Sequence, residues 1–231
     1  FVAEHADYAG LLAFLLEPRP DWTEVDIDED AADTGHVPTD EELRADLLEL
    51  LSSEEPDAFL RLCHVARWTG GQRYSTNALP LDVRRLPGWH LLPASSTDQI
   101  MAAARRYLEN TQPDFERYFG TSTFGWDVIA GVRALALLLT SGQGRALEDW
   151  VWGNWVPAIV LCSFNDDSES TMEALLAEAA RRVPAMLLDA TERQMVGENG
   201  WSALESVVPL LGPSQLPWLL RLVDDQSADV R

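Results

Sequence analysis

The sequence contains no lysine: all 17 of its cationic side chains are arginines. That absence excludes a Walker A phosphate loop, whose lysine reaches the terminal phosphates. It also excludes Schiff-base chemistry on pyridoxal or a substrate carbonyl. Positive charge of any kind is scarce, since 38 carboxylates leave the 231 residues at a net charge of −21. Nucleic acid and anionic lipid are held largely by Arg and Lys, so neither is expected as the main partner. Cysteine is nearly missing. Cys63 and Cys162 lie far apart among apolar neighbours, too few for a disulfide framework. They read as small core residues, and a cytoplasmic location fits them. Long apolar runs are missing too: the longest, from Val128 to Thr140, is interrupted by Arg133 and is too short to cross a bilayer. No basic stretch precedes an apolar one at the N-terminus, so no signal peptide is expected. The chain opens on Phe1, and Ser227 to Arg231 reads as the opening of another helix. A longer parent protein is therefore expected.

What is present is helical periodicity. At 46% hydrophobic residues the chain can bury a real core. Leu43, Leu47, Leu48, Leu50 and Leu51 form one apolar face, and Phe59, Leu62, Cys63 and Ala66 another. Val128, Val132, Leu135, Ala136 and Leu139 recur at steps of three and four, as do Met172, Leu175, Leu176, Ala179 and Val183. Capping-box patterns stand at Thr39-x-x-Glu42, Ser96-x-x-Gln99, Ser170-x-x-Glu173 and Ser202-x-x-Glu205. These signals predict helices over 2–16, 40–52, 56–68, 97–110, 113–119, 125–141, 145–152, 155–164, 171–182, 184–196, 201–211 and 214–223. Alternating strand patterns are essentially absent, so the expected fold class is all-α. Proline followed by aliphatics, at Pro56, Pro157, Pro184 and Pro217, recurs at about helix-pair length as if opening successive helices. That recurrence points to an α-solenoid of antiparallel helix pairs. The competing reading is an irregular bundle whose prolines coincide. Residues 1–112 are expected as an N-terminal helical segment and 113–231 as repeats, truncated at the end.

Two long segments interrupt the helices. Residues 18–38 carry the acidic run Asp26 to Asp30. Residues 70–95 carry Arg73, Arg84 and Arg85 among prolines, with Leu79, Leu81, Leu86, Trp89 and Leu91 to pack them back onto the helices. Asp26-x-Asp28-x-Asp30 starts like a calcium loop. Ala31 replaces the turn glycine and Val37 the bidentate glutamate, so a solvated charge run is the better reading. Asn165 to Glu169 superficially resembles the metal-binding acidic motif of helical terpene synthases, but its place ahead of a helix suits the helix dipole instead. His5, His36, His64 and His90 have no partner at metal-ligand spacing, and neighbouring Cys63 and His64 point different ways on a helix. No nucleophile elbow or glycine-rich phosphate loop occurs. No cofactor and no metal are expected. Trp150, Trp152 and Trp155 cluster, either as gap-filling core or as the lining of a sugar-type groove. Arg84 and Arg85 with Trp89 and His90, and Arg73 nearby, form the one cationic-aromatic patch. It would contact an anionic ligand or partner, or clamp its loop onto the acidic body.

From Gly125 the text takes on a further character. Gly125-Trp126 to Leu139, then Trp155-Val156-Pro157-Ala158, then Ala180 to Leu188, resembles helical-repeat regions of large bacterial NACHT/STAND-type ATPases, including antiviral ones. The end, Asp224-Asp225-Gln226-Ser227-Ala228-Asp229-Val230-Arg231, is similar to the Asp-x-x-Val-Arg signature of HEAT-like repeats. The resemblance covers about residues 113–231. It implies a C-terminal α-solenoid that recognises a target, attached to an ATPase module upstream in the parent protein. The resulting expectation is a non-enzymatic helical scaffold or sensor that binds a protein partner and the rest of its own chain. Two other readings stay open. One is an all-α hydrolase with an acidic pocket at Asp149, Asp166 and Glu169 near Trp152 and Trp155. The other is an acidic decoy that mimics nucleic acid.

Overall fold

A computed structural model describes residues 38–69, 72–73, 80–121, 124–163, 169–196, 200–215, 217–218 and 220–221. The helix expected over 2–16, the acidic run at 26–30 with its calcium-like pattern, Asp166 and residues 222–231 lie outside them.

Among the described residues the protein is all-helical, with eight α-helices. They are α1 (Asp40–Ser52), α2 (Ala58–Val65), α3 (Thr97–Asn110), α4 (Trp126–Thr140), α5 (Asp149–Leu161), α6 (Glu169–Arg182), α7 (Pro184–Gln194) and α8 (Gly200–Val207). After α2 the chain makes a short antiparallel ladder, β1 (Trp68–Thr69) with β2 (Gln72–Arg73), which the sequence pattern does not signal.

Local chemistry explains the starts. Thr39 and Glu42 close the expected capping box on α1: Glu42 N–H donates to Thr39 Oγ1, and Thr39 N–H donates to the Glu42 carboxylate at 2.8 Å. Asp40, Glu41 and Glu42 place negative charge at the positive end of the helix. The other three boxes do not form. Ser96 is already turned into helical geometry by the Ala94–Ser96 turn, so its side chain makes no cap bond. Ser170 and Ser202 fall inside helices that begin at Glu169 and Gly200. Leu43, Leu47, Leu50 and Leu51 are buried as expected, whereas Leu48 is exposed.

Three expected helices differ. Residues 113–119 form no helix: the chain is irregular to Phe115 and turns over 116–120, and Phe115, Tyr118 and Phe119 pack from this segment onto the core. Residues 145–152 and 155–164 give one helix, α5, with Pro157 inside rather than at its start. Pro184 does open α7, but Pro157 does not open a helix, so the proline recurrence is not a regular repeat.

The centre is α4, apolar on every side and buried at Val128 through Leu138, including Arg133. It packs against α2, α3, α5 and α6. Gly131 lets it do so, because a Cβ there would lie inside the Trp155 ring. The Trp155 indole N–H donates to the Leu108 carbonyl at 2.9 Å. That carbonyl is in the last turn of α3 and has no partner within its own helix. From α4 onward each helix touches the next and the next but one: α4 meets α6, α5 meets α7 and α6 meets α8. One apolar core runs from Leu47 to Val207, across residue 112, and a smaller cluster joins Met195 and Leu204.

Candidate functional site

The segment from Pro80 to Ser96 is built of three short 3-10 turns: Val83–Arg85, Pro87–Leu91 and Ala94–Ser96. Leu81, Val83 and Leu86 are buried, and Trp89, Leu91 and Leu92 pack half-buried on the core, as their pattern requires. Leu79 lies outside the described residues. Gly88 approaches the end of α2 so closely that its N–H donates to the Ala66 carbonyl at 2.7 Å, and an added Cβ would sit 2.8 Å from the Trp68 carbonyl oxygen. On the other side Arg133 Nε donates to the Pro80 carbonyl at 3.1 Å. The segment is thereby fastened to α2 and α4.

This leaves Arg84, Arg85 and His90 on the outside, with Trp89 half-buried beside them. Arg84 is held within its own segment: Nε and Nη2 donate to the Asp82 carboxylate at 2.7 and 3.0 Å, and Asp82 also caps the turn by accepting from Arg84 N–H. The carboxylate raises the Arg84 pKa. Nη2 also reaches Thr140 Oγ1, on α4, at 3.4 Å. Arg84 thus braces the turn chiefly to itself; the fastening to the body is done by Gly88 and Arg133. His90 Nδ1 hydrogen-bonds the Pro87 carbonyl, and since a carbonyl only accepts, Nδ1 carries the proton. Arg73 stands opposite Trp68 in the ladder.

Sequence reasoning missed a second group at this corner. Arg67 follows α2, is 1% exposed, and stacks on the Trp126 indole at 4.0 Å from guanidinium carbon to ring centre. Among the described residues its Nη1 and Nη2 have no hydrogen-bond partner. Arg133, also 1% exposed, lies close enough to repel it. Burial and that like charge lower the Arg67 pKa to about 10, so it stays charged at neutral pH. His64, exposed on α2, meets Trp126 edge-on at 6.2 Å. Burial first, then the charge of Arg67, lowers its pKa. The available signal was Arg133 alone in an apolar run. Nothing in the sequence distinguishes Arg67 from a surface arginine.

The other candidate places are structural. Trp152 and Trp155 are fully buried, so no groove is lined by them; Trp150 alone of the cluster is exposed. Asp149 faces solvent and pairs with Arg182 at 2.8 Å. Arg182 also donates to the Leu147 and Arg145 carbonyls and to Glu178, tying the turn before α5 to the end of α6. Cys63 and Cys162 are buried free thiols, pushed by burial up to about 11 and about 12. A shallow depression where α6, α7 and residues 210–215 meet is lined by Ala180, Pro184, Leu187, Leu188, Leu210, Leu211 and Gln215 and holds no titratable side chain. Among the described residues no cluster of His, Cys, Asp and Glu could hold a metal ion, and no helix is long and apolar enough to cross a membrane.

No protein-family model, curated protein or solved structure matches the chain.

Proposed function

We propose that this chain is a protein-binding helical-repeat segment, the scaffold or sensor part of a larger bacterial NTPase-type protein of the NACHT/STAND kind, and that it works without catalysis of its own. The observation that carries the reading is the cationic-aromatic corner. Arg84, Arg85 and His90 stand outward beside Trp89 on an ordered support, in a molecule of net charge −21. Arg and Trp are the side chains that most often dominate protein interfaces. A partner surface rich in carboxylates fits this corner and is repelled by the rest of the molecule. The antiphage role suggested by the resemblance is part of the same proposal.

The helices from α4 onward are read as HEAT-like pairs. Contact of each helix with its neighbour and next neighbour supports this, because stacked pairs bury their faces in that order. The buried tryptophans support a packed scaffold over a lined catalytic groove.

The test is capture of interacting protein from the cells that make this one, with wild type beside an R85E/W89A variant of matched melting temperature. A protein retained by wild type and lost by the variant is the expected result. Identical retention by both, or none by wild type, contradicts it. For the parent protein, a Walker motif upstream in the same reading frame is expected; a single short reading frame overturns that part.

A further inference from the structure

Among the described residues, Arg67 is a buried charge without a counter-charge. A guanidinium presents five N–H donors around its edge, and stacking on an aromatic ring occupies its face only. Trp126 therefore leaves the edge of Arg67 unserved, and among the described residues Nη1 and Nη2 have no acceptor. The charged group that acts on Arg67 is Arg133, of the same sign. Buried charges ordinarily come paired, because desolvation without compensation strongly opposes folding. Here two guanidiniums share an interior region of positive potential within an acidic protein.

We propose that Arg67, with Arg133 behind it, is a binding site for an oxyanion, a phosphate or carboxylate group, received by the Nη1–Nη2 edge of Arg67 beside Trp126. The planar fork matches two oxygens of such a group at once. Trp126, which stacks on Arg67, is partly buried, and its ring neighbour His64 is exposed, so the site lies just beneath the surface on this side. The site does not depend on the protein-partner reading: a free anion and an anionic group on a macromolecule present the same oxygens to it.

The test uses the full 231-residue chain and three salts at matched ionic strength: sodium chloride, sodium phosphate and sodium acetate. A ligand that binds only the folded state raises the melting temperature. Phosphate or acetate at millimolar concentration is expected to raise it by several degrees over chloride, and the more effective anion identifies the group. Arg67→Met removes the unpaired charge while keeping the bulk. It is expected to melt above wild type in chloride and to lose the anion response. A second readout needs no variant: the bound anion is expected to raise the pKa of wild-type His64 in an NMR titration. Equal melting in all three salts, an anion response intact in R67M, or a His64 titration unmoved by phosphate and acetate would overturn the site.

Discussion

At the scale of single residues, charge is what the structure rearranges most. Glu178 accepts from both Arg181 and Arg182, and the arginine hydrogen bonds hold its pKa at about 2 against an ordinary 4.5. Arg181 is solvent-exposed and adds little, whereas Arg182 is only 10% exposed and anchors the turn before α5. Glu178→Gln is expected to cost about 1–2 kcal/mol near neutral pH, measured by denaturant unfolding. A depressed carboxylate stabilises fully above its unfolded pKa and loses that contribution as pH falls through its folded one. The difference between wild type and E178Q should therefore close between about pH 4.5 and pH 2. The thiols give a second expectation: with both pKa values near 11–12, neither should react with iodoacetamide at pH 8 until the protein unfolds. The buried cysteines and the Thr39 cap were legible in the sequence, because apolar neighbours and a three-residue spacing are local facts. Arg67 was not, and Arg133 showed only as a break in an apolar run, because a cation is read as exterior unless its tertiary surroundings are known.

At the scale of elements, α1 and α3 were legible to the residue, and α5 was not. Gly153 and Pro157 both argue locally against a continuous helix. An interior proline costs about 3 kcal/mol. Burial of Trp152, Trp155, Val156 and Ile159 outweighs that, at about 1.5–3 kcal/mol for each large apolar side chain. Helix 113–119 failed in the opposite sense: its aromatics reach the core from turns. Gly131 shows the same priority of packing over propensity. Glycine to alanine inside a helix normally gains up to about 1 kcal/mol. At this position the new methyl group would occupy the Trp155 ring, so Gly131→Ala is expected to lose about 1–3 kcal/mol in thermal or denaturant unfolding. Trp155→Phe keeps most of the packing and strands the Leu108 carbonyl, with an expected loss of about 1–3 kcal/mol by the same measurement.

At the scale of the whole molecule, the all-helical class followed from the three- and four-residue spacing alone. The order of packing did not, since it depends on which faces meet across the centre at α4. The candidate corner was half legible. Arg84, Arg85, Trp89 and His90 were found as a local cluster, but their support comes from Gly88 against Ala66 and Arg133 against Pro80, contacts made across the fold. A competing face exists at exposed Trp150 and Met186, where Met186 lies over Gly153. The two faces differ in chemistry, cationic at one and apolar at the other. Binding through the cationic corner should weaken as salt rises from 0.05 to 0.5 M, about three-fold or more in affinity. The most direct measurement is amide hydrogen exchange of the chain with and without its captured partner. Slowed exchange centred on residues 80–92 is the predicted result; slowed exchange centred on α5 and α7 around Trp150 and Met186, with 80–92 unchanged, would contradict it.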